Sequence, residues 1–333
     1  APMAGACPPA LSIAVANAGG LGACGALLTA PEGIQAWCDE FRRHSTGEFQ
    51  INLWIPGPPP VRNHELEERQ RQFLATWGPP VPPEAANLSL PDFAAQCQAM
   101  LAAAPKVISS IMGLYEQDFI AEMKSRGILW FANATTVAEA RAAEEAGADA
   151  IVAQGMEAGG HRGTFDADQV ERQLAGLFAL LPQIDDAVAV PVIAAGGIAD
   201  ARAVAAAMIL GASAVQIGTG FLRTPEACLH PAYAERLGRT EAHETLLTRA
   251  FTGRPGRSIA NAYAVASAAP DAPPAAPYPI QRGLTRPMRE AALKAGDTDR
   301  MQLWAGQAAK LARTDPAGTI AQQLWERAGG LLP

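Results

Sequence analysis

The sequence lacks the features that would tie it to a membrane, a nucleic acid or a metal. It has no run of about 18 apolar residues, the length needed to span a bilayer. Positive charge is in deficit: a formal charge of −7 and a pI near 5.3 argue against a general affinity for nucleic acid or anionic membrane surfaces. Only a local basic pocket is compatible with that balance. There is no His-Glu-x-x-His and no clustered set of His, Asp and Glu, so no metal is expected. No Gly-x-Ser-x-Gly elbow supports a hydrolase of that type. The five cysteines, Cys7, Cys24, Cys38, Cys97 and Cys228, include no Cys-x-x-Cys pair, and their odd count does not describe a disulfide framework. They read as reduced thiols used as small apolar residues, and with no secretory segment the expected compartment is the cytoplasm. The chain opens at Ala1-Pro2-Met3 without an initiator methionine, so residues ahead of Ala1 are expected to be missing or removed.

What is present is a chain of 333 residues, 49% hydrophobic and 18% charged, long enough for one large barrel or two smaller domains. From Leu11 to Phe221 helical stretches alternate with short apolar runs. Leu11 to Ala18 reads as a helix, Gly22 to Leu27 as a small-residue run, and Thr29 as the cap of a helix reaching Phe41. Strands are expected at Phe49–Ile55, Lys106–Met112, Ile128–Ala132, Ala150–Ala153, Val192–Ala195 and Ala214–Ile217. Helices are expected at Gln117–Arg126, Val137–Ala146, Asp168–Leu181 and Ala201–Leu210. The strand runs are apolar throughout rather than alternating, as in strands buried on both faces. Strand–helix repetition of this kind specifies a parallel sheet with right-handed crossovers. With the run from Gly22 to Leu27, seven strands are counted, and an eighth, preceding Ala1 or beginning with it, would close a (β/α)8 TIM barrel. An open doubly wound sheet is the competing arrangement. The proline-rich stretch from Pro56 to Pro83 is too long for an ordinary loop and is expected to cover part of the barrel or an interface. Past Phe221 the alternation stops. The expected organisation is a barrel over 1–222, a lid-like insertion over 223–300 with no strand repeat, and closing helices over 301–333 at Met301–Leu311 and Ile320–Ala328.

Loops that follow barrel strands carry the chemistry in this architecture. Three of them are rich in glycine: Gln154 to Gly163, Gly196-Gly197-Ile198, and Gly218-Thr219-Gly220. The last two follow the final strands, where glycine lets backbone N–H groups approach an anion and helix N-termini favour negative charge. They predict a phosphorylated ligand without saying which. His161, set among glycines in the first loop, is the candidate for proton chemistry near neutral pH. The other four histidines lie in polar segments, and Arg249, Arg254 and Arg257 could reach an acidic substrate, although surface positions are the ordinary reading for arginine.

Taken in order along the chain, Ala1-Pro2-Met3-Ala4-Gly5, Asn17 to Gly22, Asn52-Leu53, Gln154 to Gly163, Ala194 to Ile198, Gln216 to Thr219, Arg249 to Pro255 and Trp304 to Gln307 resemble the nitronate monooxygenase family, formerly called 2-nitropropane dioxygenases. The late arginine and tryptophan motifs look like its bacterial and yeast class. The resemblance implies a non-covalent FMN and no metal. By it Met3, Ala4, Asn52 and Gln154 would line the flavin ring and ribityl chain, and Gly159 and Gly160 would contact the ring side. Gly196, Gly197 and Gln216, Ile217, Gly218 and Thr219 would form the phosphate end. His161 would be the catalytic residue. The implied reaction is oxidation of an alkyl nitronate, propionate 3-nitronate above all, by O2 to a carbonyl product and nitrite. A homodimer is left open, as are roles for Tyr263 and Tyr278. Two other functions fit the same glycine loops: an FMN-dependent NAD(P)H reductase of quinones or enoyl-acyl carrier protein, and a barrel that binds a phosphorylated ligand without catalysis.

Overall fold

A computed structural model describes residues 1–332. Ten strands form two sheets. The first contains β1 (Gly22–Gly25), β2 (Phe49–Trp54), β3 (Val107–Ile111), β4 (Leu129–Ala134), β5 (Ala150–Gln154), β7 (Val192–Ala195) and β8 (Ala214–Gln216). All neighbours in it are parallel and follow chain order, with no reversal. An open doubly wound sheet needs a switch point where the order turns back, so that alternative is excluded. The sheet curls until its ends approach. Gln50 on β2 donates from Nε2 to Oε1 of Gln216 on β8 across the interior, at 3.0 Å. Among the described residues no eighth strand lies in the seam between β1 and β8. An irregular segment fills it: the Ala1 nitrogen donates to the Ile217 carbonyl (2.8 Å), and a Cβ on Gly25 would lie 2.6 Å from the Ala4 nitrogen. Pro2 has no N–H to give a ladder and Gly5 turns at φ +80°, so this segment cannot continue as a strand.

The main core lies between this sheet and the outer helices, joining Ile51, Leu53, Ile108 and Trp130 of the strands to Ile34, Phe41, Met100, Met123 and Leu181. Side chains cap several of the helices. Asp200 accepts from the Ala203 N–H ahead of Ala201–Ile209, and Thr136 does the same for Val137–Glu145 through Glu139. Thr29 is not a cap. The second helix runs Pro31–His44 from Ala30, with Pro31 presetting φ in its first turn. The expected helix from Asp168 to Leu181 is also broken, into a 3-10 turn at Val170–Arg172 and a helix at Leu177–Asp185. Gly176 separates them, and the Glu157 carboxylate accepts from the Leu177 N–H (2.9 and 3.0 Å), which starts the helix there.

The second sheet is a departure from the sequence reading. β6 (Gly160–His161), β9 (Thr245–Thr248) and β10 (Gly256–Ile259) pair antiparallel in the order β6-β10-β9. The region 223–300 therefore contains strands as well as helices, the longest being Pro231–Arg239 and Arg286–Ala295. It packs on the helix His64–Ala75 and the turn Pro83–Ala86 in a separate core: Leu74, Val81 and Ala85 meet Phe251, Tyr263, Ile280, Leu284 and Met288. Gln281 donates to Gln70, and Gln70 to the Pro273 and Pro274 carbonyls, stitching the two segments. Met301–Leu311 is not a helix. Ser258 and Trp304 form a bridge, and only Ala309–Leu311 turns, because Trp304 to Gly306 are engaged with the site described next. The closing helix, Ala317–Gly329, packs on Ala201–Ile209. Among the described residues no helix is long and apolar enough to cross a membrane.

Candidate active site

At the C-terminal ends of the barrel strands lies a cavity of about 540 Å³. Its walls include Met3, Ala4, Asn52, Gln154, Gly159, Gly160, His161, Gly196, Gly197, Gln216, Gly218 and Thr219. Ile217 is the exception among the residues singled out in the sequence: it is buried beside the cavity and its carbonyl is tied to the N-terminal segment.

The polar floor is a side-chain chain across the barrel. Asn52 Nδ2 donates to Ser109 Oγ (3.1 Å), Ser109 Oγ to Gln50 Oε1 (2.9 Å), and Gln50 Nε2 to Gln216. Ala150 and Val152 of β5 and Ile193 and Ala195 of β7 form a separate apolar cluster. Asn52 and Gln216 are thus fixed in rotamer before any ligand arrives. Gln154 is fixed differently. Its Nε2 donates to the His161 carbonyl (3.2 Å) and its Oε1 accepts from the Gly163 N–H (2.8 Å), so both ends of the carboxamide hold the histidine loop.

The glycine turns at the ends of β7 and β8 need their residue type. Gly196 and Gly197 have φ of +113° and +69°, which L side chains rarely adopt. The N–H groups of Gly197 and Gly218 have no acceptor among the described residues. Gly159 is closed in for another reason: a Cβ there would lie 2.4 Å from the Gly306 nitrogen. Gly306 donates to Thr219 Oγ1 (3.0 Å) and the Gln307 N–H to the Glu157 carbonyl (2.9 Å). The Trp304 to Gln307 motif therefore clamps the first glycine loop to the last.

His161 stands on β6, held edge-on to β10. Trp54 and Trp304 flank its ring, with centroids at 4.6 and 4.8 Å. Its Nε2 lies 2.8 Å from Thr252 Oγ1, and that hydroxyl donates to the Arg254 carbonyl (3.2 Å). The threonine hydroxyl is thus the hydrogen-bond partner of Nε2, while Nδ1 has no partner among the described residues. Burial, then the positive charges of Arg254 and Arg282, push its pKa down to about 3. The ring is neutral at neutral pH, so it is a proton acceptor there and contributes no positive charge of its own.

The cationic side chains are distributed otherwise than the sequence indicated. Arg257 is buried and spent on the Met156 carbonyl and Thr245 Oγ1; Arg254 donates to the Thr164 carbonyl (2.6 Å). Arg249 pairs with Glu171 at 3.0 Å. The guanidinium groups that line the cavity are Arg282 and Arg289. Trp54, Thr252, Arg282 and Arg289 were not identified from sequence as parts of the site. Thr252 and Trp304 lay inside quoted motifs, which was the one signal available. Of the two tyrosines, Tyr263 is core, donating to the Ala250 carbonyl (3.0 Å). Tyr278 lies 5.5 Å from Trp54, and its buried hydroxyl has no partner. All five cysteines are free, and burial of four of them raises their thiol pKa values, Cys38 to about 11. Among the described residues no group of three or more His, Cys, Asp or Glu side chains could hold a metal.

A curled parallel barrel with glycine turns at the ends of its last strands and a buried imidazole lining the same cavity defines a class: barrel proteins with a ligand site at the C-terminal ends of their strands. The family is then set by comparison. The nitronate monooxygenase family model matches residues 1–327, and the chain belongs to that family. It is 39% identical to a nitronate monooxygenase of Paraburkholderia phytofirmans, over 97% of this chain and 90% of that one. It is 38% identical to a nitronate monooxygenase of Pseudomonas aeruginosa, over 99% and 95%. The crystal structure of a nitroalkane oxidase from Streptomyces ansochromogenes superposes with a TM-score of 0.89 at 37% identity, over 99% of this chain and 94% of that chain. FabK from Thermotoga maritima is similar at a TM-score of 0.77 and 27% identity, over 99% and 92%. The chain is accordingly a nitronate-oxidising oxidoreductase of a flavin-dependent family.

Proposed function

We propose that the chain binds FMN in this cavity and oxidises alkyl nitronates, propionate 3-nitronate among them, with O2 to a carbonyl compound and nitrite. The observation that carries this reading is the neutral, buried His161 in the same cavity as the unpaired N–H groups of Gly197 and Gly218. The residues fit the cofactor. Free backbone donors at the end of the last strands suit a phosphate, and the buried Asn133 Oδ1 in the cavity wall is an acceptor with no partner in the chain. Bound there, the flavin supplies the electron transfer.

The chain supplies position, electrostatics and a proton site. Gly197, Gly218 and Thr219 would hold the phosphate; Met3, Ala4, Asn52, Gly159 and Gly160 would line the rest, with Gln154 and Gln216 beneath. His161 takes the α-proton at Nδ1 when a neutral nitroalkane binds, and Thr252 holds the ring at Nε2. A nitronate has already lost that proton and needs only its charge balanced, which Arg282 and Arg289 do. The Trp54 and Trp304 rings exclude water from the imidazole, and the segment 223–300 covers the cavity.

The test is nitrite release in air from propionate 3-nitronate by protein reconstituted with FMN. Stoichiometric nitrite is expected, with no turnover in protein that has lost its flavin. The likeness to FabK makes NADH the necessary control: bleaching of the flavin by anaerobic NADH at a catalytically competent rate, without nitrite formation in air, would replace this reading with a reductase.

A further inference from the structure

Beside the catalytic cavity is a second hollow of about 420 Å³. Leu28, Arg282 and Arg289 line both, so the two spaces share a wall, whereas Arg286 lines only the second. The three arginines recur at intervals of four and three residues along Ile280–Leu284 and Arg286–Ala295. Thr285, between these helices, is itself in helical conformation, so the arginine side chains fall on one face. More of the wall comes from the irregular segment Leu88 to Pro91, which lies close to the first helix: a Cβ on Gly283 would be 3.2 Å from the Leu88 Cβ.

Three guanidinium groups and one carboxylate, that of Glu290, give this wall a net charge of +2. Glu290 lies 4.0 Å from Arg286 and pairs with neither Arg282 nor Arg289. Arg289 donates to Thr285 Oγ1 (3.1 Å) and to the Arg282 carbonyl (2.9 Å), neutral acceptors that orient its fork without cancelling its charge. The Arg282 and Arg286 guanidinium groups have no hydrogen-bond acceptor among the described residues. Burial, then Arg282, push the pKa of Arg289 down to about 10, and Arg286 acts in the same direction. The three charges therefore feel one another, and like charges on one helical face are destabilising until an anion joins them. The Ser89 hydroxyl and the N–H groups of Leu88, Ser89 and Leu90 also have no partner among the described residues. Unused donors thus come from two separate segments. A carboxylate offers them two oxygens and one charge. A phosphate monoester offers three acceptor oxygens and a charge of about −1.5 to −2 at neutral pH, which matches this wall. Leu28, Leu88, Leu90 and Pro91 add apolar surface for the group that bears the phosphate.

We infer that this hollow binds a phosphate monoester, a ligand separate from the nitronate, and that its occupancy weakens binding of anionic substrate in the adjoining cavity. The coupling follows from the shared wall: a dianion that engages Arg282 and Arg289 cancels the charge they present to a nitronate. A neutral nitroalkane does not use that charge. The binding site stands on the hollow itself; the coupling rests on the nitronate reading.

The probe is phenyl phosphate, added to FMN-saturated enzyme at constant ionic strength, with binding followed by titration calorimetry. Binding is expected in wild type, weaker by about tenfold in Arg286→Leu and partly retained in Arg286→Lys. Arg286 is exposed and lines only the second hollow, so both variants should keep wild-type turnover without the ester. Saturating phenyl phosphate should raise KM for pre-formed propionate 3-nitronate about fivefold or more and leave kcat/KM for nitroethane unchanged. No binding, or equal binding by wild type and Arg286→Leu, would overturn the site. Benzoate bound as tightly by wild type would overturn the choice of phosphate, and inorganic phosphate bound as tightly would assign the hollow to the free ion. Inhibition of nitroethane turnover would place the ester in the catalytic cavity and overturn the proposal. Binding with an unchanged nitronate KM would overturn the coupling. Binding without nitrite from any nitronate would instead sink the nitronate reading and leave the phosphate site standing.

Discussion

At the scale of single residues, His161 depends on partners that lie far away in the chain. Thr252 is 91 residues from it, yet its hydroxyl lies 2.8 Å from the ring Nε2. Thr252→Val removes the hydrogen-bond partner of Nε2 and frees the ring orientation. Turnover of neutral nitroalkanes is expected to fall about tenfold to a hundredfold, with pre-formed nitronates much less affected; steady-state rates on the two substrate forms check it. A second consequence concerns pH. The folded-state pKa of His161 is about 3, below its ordinary value of 6.5, so the unfolded chain binds the proton more readily. The stability this contributes is present above the ordinary value and is lost as pH falls from there towards 3. Urea titrations between pH 7 and pH 4 should show wild type losing stability more steeply than His161→Asn; parallel slopes would mean the ring is not buried as described. His161 was legible in the sequence because glycines on both sides mark a loop that approaches a ligand. Thr252, Trp54 and Arg282 were not, because nothing local separates a threonine, tryptophan or arginine that faces a cavity from one that faces solvent. For Arg257 the ordinary surface reading failed: it is buried, and its donors are used by a backbone carbonyl and a hydroxyl inside the fold.

At the scale of elements, the barrel strands could be read because strands buried on both faces are uninterrupted apolar runs, and each was placed to within a residue or two. β9 and β10 could not, since they are short, partly polar and antiparallel, and β6, which pairs with β10, contains only Gly160 and His161. The closing motif from Trp304 was misjudged in form for a related reason. Its helical spacing of apolar residues is overridden by tertiary contacts of Gly306 and Gln307 with Thr219 and Glu157. That clamp predicts a contrast between adjacent glycines. Gly159→Ala puts a methyl group against the Gly306 backbone, which cannot move aside cheaply, and should cost about 1–3 kcal/mol in urea unfolding. Gly160→Ala meets open space and pays only for φ +73°, about 1 kcal/mol by the same measurement. Equal losses would show that the loop is not clamped at Gly159.

At the scale of the whole molecule, the barrel supplies the site floor and a second core supplies its roof. The parallel sheet with its outer helices was legible from strand–helix alternation, whereas the choice of barrel over open doubly wound sheet came from the strand order. The roof was not, because it joins residues near 64–86 to residues near 250–288, and pairing between distant segments leaves no periodic trace. Phe251 connects roof and site: it is fully buried, and its ring lies 5.9 Å from that of Trp304, which flanks His161. Phe251→Ala should destabilise the protein by about 3–5 kcal/mol and lower turnover along with stability, measured by urea unfolding and nitrite release on the same preparation. Loss of stability with unchanged turnover would uncouple the roof from the chemistry.

The central claim is that the imidazole at position 161 performs its proton chemistry beside a cofactor it is not needed to bind. Turnover of a neutral nitroalkane by His161→Asn, compared with wild type at equal FMN content, tests it most directly. A fall of about a hundredfold to ten-thousandfold with the flavin still bound is the predicted result. Wild-type turnover in the variant would contradict the account.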